Sequence, residues 1–118
     1  MITSFTIESA SFENLQTLYL RNNRINTFEI IGKSPNLTNL NLAGNELKKL
    51  PISINRLDNL GKLNLANNEL SDIPDLRLLT NLNYLNLSYN SLTSIPAVEI
   101  PIKYESLITL LRFGSLLN

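Results

Sequence analysis

Two carboxylates in this chain share a local context. Glu46 sits in Asn45-Glu46-Leu47, and Glu69 recurs in the same setting, Asn68-Glu69-Leu70. If the interval between them returns the chain to the same place, the two become neighbours, the arrangement that general acid–base catalysis uses. The same arithmetic brings Arg24 beside Glu46 and Lys49 beside Asp72. Exposed opposite charges of this kind contribute about 0–1 kcal/mol, and glutamates in a repeated Asn-Glu-Leu read first as solvated side chains. The rest of the catalytic inventory is thin. There is no histidine and no cysteine, which excludes His-based triads and zinc sites. The four glycines are scattered, with no phosphate-binding loop pattern. No metal or cofactor is expected, and the chain is read as not an enzyme.

The amides carry a stronger signal. Asn23, Asn45, Asn68 and Asn90 recur at an almost constant interval. Each occupies the ninth place of one frame, L-x-x-L-x-L-x-x-N-x-L, at residues 15–25, 37–47, 60–70 and 82–92. An internal repeat of that short period indicates a solenoid. Leu63 and Leu65, two apart, point to one face of a strand. Leu60 and Leu70 close a turn of chain over the same interior. One coil cannot bury its own leucines, so stability comes from stacking each coil on the next. After Leu65 the chain bends inward and leaves the sheet, stranding backbone N–H and C=O groups. A buried amide supplies both a donor and an acceptor, so the four asparagines are expected to form a structural ladder, each serving its own corner and the next. In the returning halves, prolines are expected to block continued sheet pairing, because they lack the N–H.

The four frames, LQTLYLRNNRI, LTNLNLAGNEL, LGKLNLANNEL and LNYLNLSYNSL, resemble the leucine-rich repeat over roughly residues 2–105. The resemblance implies an α/β, right-handed solenoid: a curved parallel β-sheet on the concave face, and short helical or 3₁₀ turns and loops on the convex side. The linking half at 47–59 looks like the longer subtype of intracellular signalling proteins. That at 70–81 looks more like the shorter subtype, shared by bacterial internalin-like proteins and a phosphatase-regulatory subunit. The mixture leaves the subfamily open. One domain spans residues 1–118, divided into a partial first repeat (1–14), repeats at 15–36, 37–59, 60–81 and 82–106, and a terminal segment at 107–118.

Composition narrows the setting. With a net charge of zero, charge-driven binding to nucleic acid or to an anionic membrane is not expected. No apolar run approaches membrane-spanning length, and the first residues lack the basic and apolar regions of a signal peptide. Absence of cysteine disfavours the extracellular animal members, whose caps the resemblance would close with disulfides. A cytoplasmic, intracellular protein is expected, or one that a bacterium delivers.

The resemblance implies that the concave sheet face binds a partner protein through residues between the fixed leucines. Strict alternation puts Tyr19, Asn41, Asn64 and Asn86 in a central column and Arg21, Ala43, Ala66 and Ser88 in the next. Lys62, Tyr84 and Tyr89 join them. Tyrosine and arginine tend to carry interface energy, so Tyr19, Arg21, Tyr84 and Tyr89 are the leading anchors; strand propensity is the competing reason for the tyrosines. Four or five strands about 17 Å long and about 4.8 Å apart give a face of roughly 400 Å². A stable interface takes about 800 Å² from each partner.

The ends are less regular. Ile2, Phe5, Ile7 and Phe12 align with Leu47, Leu50, Ile52 and Leu57, so the chain is read as starting halfway through a coil. A rival reading treats Ile2-x-x-Phe5-x-Ile7 as a strand frame of its own, which leaves too few residues before Leu15 to close a coil; pairing of Phe5-Thr6-Ile7 as an edge strand is compatible with the half coil. Beyond Leu92 the frame loosens: Arg112 and Ser115 stand where leucine and asparagine belong. A degenerate fifth coil, a capping helix over 106–117 and a truncated edge are the three readings there. The alternative to a binding module is therefore a repeat-array fragment that self-associates through uncapped ends.

Overall fold

The computed structural model describes residues 1–8, 13–32 and 36–93. Phe12 and every expectation for 94–118, whether fifth coil, capping helix or truncated edge, lie outside those residues.

The paired leucines of each frame form the strands. β2 (Thr17–Tyr19), β4 (Asn39–Asn41), β5 (Lys62–Asn64) and β6 (Tyr84–Asn86) make one parallel sheet in that order. Leu18, Leu40, Leu63 and Leu85 stand in register, so each frame position meets its counterpart in the next coil. Backbone bonding outruns the regular strands. Thr38 N–H donates to Gln16 O (2.9 Å) and Asn22 N–H to Ala43 O (2.9 Å). The bonded run therefore covers about seven residues, about 23 Å of chain, and a face of roughly 400 Å² stands on it.

Behind the sheet the leucines form one column. Leu40, Leu42, Leu63, Leu65 and Leu87 are fully buried, as are the flanking Leu37, Leu47, Leu60 and Leu70. Each such side chain contributes about 1.5–3 kcal/mol relative to exposure. Leu15 and Leu18, in the first coil, are only half-buried, because β2 is the edge of its sheet.

The returning halves differ from coil to coil. The first contains β3 (Thr27–Ile31), which pairs in parallel with β1 (Ser4–Glu8), Phe5 opposite Phe28 and Ile7 opposite Ile30. The Phe5 and Phe28 rings stack at 6.4 Å. Proline does not block sheet pairing here, contrary to the general expectation for the returns. Thr27-Phe28-Glu29-Ile30-Ile31 contains none, and its β-branched and aromatic residues suit a half-buried strand. Ile2 N–H donates to Asn23 Oδ1 (3.2 Å), as Ile25 N–H does to Asn45 Oδ1 (3.0 Å).

The second return is a 3₁₀ turn, Ile52–Arg56, entered from Pro51 at φ −67°. Its threefold period aligns residues three apart, so Ile54 and Leu57 are buried while Ile52 is left 76% exposed. The third return is irregular.

At each corner an asparagine side chain meets backbone that the sheet leaves over. Asn68 Nδ2 donates to Leu65 O (3.1 Å) and Leu42 O (3.0 Å), and its Oδ1 accepts from Leu47 N–H (3.0 Å). Asn45 and Asn90 repeat the pattern. The bridging runs to the preceding coil, not to the next one as expected, because the carbonyl that turns toward each amide belongs to the strand before it. Leu65→Ala should cost about 2–5 kcal/mol through the cavity it leaves. Asn68→Ala should cost about 1–3 kcal/mol by stranding buried backbone groups. Urea melts of the two variants measure both, and an unchanged midpoint for Asn68→Ala would make its amide bonds dispensable.

The residue before each of these asparagines has a left-handed backbone: Asn22 (φ 58°), Gly44 (φ 69°), Asn67 (φ 56°) and Tyr89 (φ 58°). Glycine and asparagine tolerate this conformation; a tyrosine is strained in it. A Cβ on Gly44 would also collide with the Asn22 side chain. Tyr89→Asn is expected to raise the urea midpoint, by the equivalent of about 1 kcal/mol. Gly44→Ala should lower it, by about 1–3 kcal/mol. A lower midpoint for Tyr89→Asn would show that ring contacts at this corner outweigh the strain.

Candidate functional site

A strand exposes alternate side chains on its free face, so β2, β4, β5 and β6 present residues two apart in sequence and one coil apart in space. Register places Tyr19 opposite Asn41, Asn41 opposite Asn64, and Asn64 opposite Asn86. One column over, Asn39 faces Lys62 and Lys62 faces Tyr84. Six of these side chains, Tyr19, Asn39, Asn41, Lys62, Asn64 and Tyr84, line a hollow of about 210 Å³ on the sheet face.

The hydrogen bonds orient its amides. Asn41 Oδ1 accepts from Ala43 N–H (3.0 Å) and Asn64 Oδ1 from Ala66 N–H (3.1 Å). Asn86 Oδ1 does the same for Ser88 N–H (3.0 Å) and also accepts from Ser88 Oγ (2.7 Å). Each of these asparagines thus bonds the backbone two residues on, at the end of its own strand, a local turn that asparagine forms readily. Asn86 Nδ2 donates to Tyr84 Oη (3.3 Å) and Asn39 Nδ2 to Tyr19 Oη (3.5 Å). Among the described residues Lys62 is the one charged residue lining the hollow.

Of the residues expected on this face, Tyr19, Asn41, Lys62, Asn64 and Tyr84 come together in the hollow. Asn86 lies beside it, bonded to Tyr84. Arg21 is exposed, but its column is otherwise closed: Ala43, Ala66 and Ser88 are buried. Tyr89 falls outside β6, at the left-handed corner, and does not line the hollow. Asn39, which residue type alone does not rank among the leading contacts, completes the lining. Glu46 lies 4.0 Å from Arg24, both exposed. Lys49 and Asp72 do not pair; the Asp72 carboxylate instead accepts from Ile73 N–H (3.0 Å).

Sequence reasoning missed a second, larger recess on the returning side. Ile52, Asn55, Asp75, Arg77 and Leu78 line an open groove of about 610 Å³. Leu78 is 70% exposed. Arg77 grips Asp75 (Nη2 to Oδ2, 2.7 Å), and that side-chain hydrogen bond holds the Asp75 carboxyl below its ordinary value. Asn55 donates to Ile52 O (3.3 Å) and Asp75 O (2.9 Å), leaving its buried Oδ1 without a partner. The available signal was the pair Ile52 and Leu78, apolar residues for which the leucine frame has no place.

Among the described residues no helix is long and apolar enough to cross a membrane. Comparison with known families gives a direct answer. The model for leucine-rich repeats in two copies matches residues 13–60 and 35–78, and the single leucine-rich repeat model matches residues 81–101. None of the curated proteins matches the chain. Leucine-rich repeats generally mediate protein–protein interaction and are typically not enzymes. Matched over more than half its length, and built of stacked coils whose strands pair in parallel, the chain belongs to the leucine-rich repeat family.

Proposed function

We propose that this protein is a non-enzymatic protein-binding module that engages its partner through the sheet face, within a reducing intracellular compartment. The observation that carries this reading is the hollow, where five of the expected contact residues meet around two tyrosines. Asn23, Asn45, Asn68 and Asn90 are assigned to the fold, because their amides are spent on backbone groups. Glu46 and Glu69 are exposed, in keeping with solvated side chains and not with an acid–base pair. A face of roughly 400 Å² falls short of the about 800 Å² of a stable interface, so the partner also touches a rim or binds weakly.

Tyr19 is 65% exposed. Tyr19→Ala should therefore keep the wild-type melting midpoint while losing partner capture from lysate, and Leu78→Asp, in the groove on the other side, should keep both. Capture that survives Tyr19→Ala but fails with Leu78→Asp would move the site to the returning side.

A second reading, self-association through the first coil, is favoured by the half-buried Leu15 and Leu18 and by the sheet edge at β2. Open edges invite pairing with another chain. Light scattering across a dilution series should then show mass rising with concentration, and Ile2→Lys, at a partly exposed site beside this edge, should reduce it. A constant monomer mass would remove this reading.

A further inference from the structure

We infer that the hollow on the sheet face seats the carboxylate of an aspartate or glutamate side chain on an extended acidic segment of the partner. The inference rests on the sheet face being the binding face. It follows from which hydrogen-bonding capacity is already used. The Oδ1 atoms of Asn41 and Asn64 are held by the N–H groups of Ala43 and Ala66. Those bonds fix the amide orientation, since a flipped amide would set NH₂ against N–H, and the capacity left on each side chain is the Nδ2 donor pair. Tyr19 Oη and Tyr84 Oη each accept from a neighbouring asparagine, so their own O–H protons remain to be given.

Among the described residues Lys62 forms no ion pair, and no carboxylate lines the hollow. Arg21, two residues on from Tyr19, adds a second exposed cation beside the same column. Asn39 Oδ1 is the exception in a lining otherwise made of donors. Such a lining, with one ammonium, complements an acceptor bearing a single negative charge. A doubly charged phosphate usually draws a cluster of arginines. At about 210 Å³ the hollow is smaller than the about 300–1,000 Å³ of small-molecule pockets, which suits one side chain of a longer segment. The tyrosine rings offer its methylene groups an apolar wall.

The test is a titration of the isotope-labelled full chain, followed by NMR. The ligands are an acetylated and amidated hexapeptide of alternating serine and glutamate, its serine–glutamine counterpart, and inorganic phosphate. The glutamate peptide should shift the side-chain NH₂ signals of Asn41 and Asn64. Binding should weaken with salt, and by about ten- to a hundredfold in Lys62→Met. Lys62 is exposed, so this variant should melt as the wild type does. Equal binding of the glutamine peptide at the same residues would overturn the carboxylate assignment and leave the sheet face standing. Phosphate binding as tightly as the peptide would overturn the peptide side chain as the source of the anion. Shifts at Ile52, Asn55 and Leu78 with Asn41 and Asn64 unmoved would overturn both the inference and the reading beneath it.

Discussion

A single coil of this chain has no interior of its own. Its inward leucines line one side of a layer about 4.8 Å thick, and they leave water only when another coil lies above and below. This constraint sets the rest of the architecture. It forces each strand into parallel register with its counterpart, Leu40 beside Leu63 and Leu63 beside Leu85. It also explains why burial is complete in the middle coils and partial at Leu15 and Leu18. Stability in such an array is a sum of neighbour terms, so the edge coil is held by fewer of them.

Stacking raises a second problem, which polar side chains answer. A chain that turns inward after every strand carries carbonyls and amides into a region without water, where an unpaired group costs about 1–3 kcal/mol. Asparagine side chains bond backbone at three places, most buried at the corners, part-buried at the strand ends and exposed at the third. One set, Asn45, Asn68 and Asn90, spans each corner and the coil before it. A second, Asn41, Asn64 and Asn86, ties each strand end locally. A third precedes the frame, where Asn36 donates to Glu13 O (2.6 Å) and Asn81 to Asp58 O (3.1 Å), one coil earlier. The second set faces the open side of the sheet, so its bonds also decide which polar groups that surface exposes. Satisfying the strand ends turns the amide donors outward.

The two faces of the molecule consequently differ in chemistry. On the sheet face, donors and a lysine surround a small hollow between tyrosines. On the returning side a wider groove is mostly apolar, and the Asp75 carboxylate in it is already held by Arg77. The first is a polar site with unused capacity; the second exposes Ile52, because a 3₁₀ turn has room for only one residue in three on its inner side, and Leu78, on the irregular third return.

Much of this was legible in the amino-acid order. Leucines at fixed spacing specify which residues face inward, since strand alternation follows from backbone geometry alone, and a near-constant interval between frames states that coils stack in register. The column of Tyr19, Asn41, Asn64 and Asn86 could be written down from that rule. Local order could not show which groups bond to or cover one another across coils. That the corner amides reach back a coil, that Ala43, Ala66 and Ser88 close their column while Arg21 stays open, and that Tyr89 turns off the face at a left-handed corner all depend on where the neighbouring backbone lies. β1 lies against β3 in the register that the half-coil alignment of Ile2, Phe5 and Ile7 implies, Phe5 opposite Phe28 and Ile7 opposite Ile30. Inward or outward is a property of one strand; hydrogen-bond partners and burial belong to the stack.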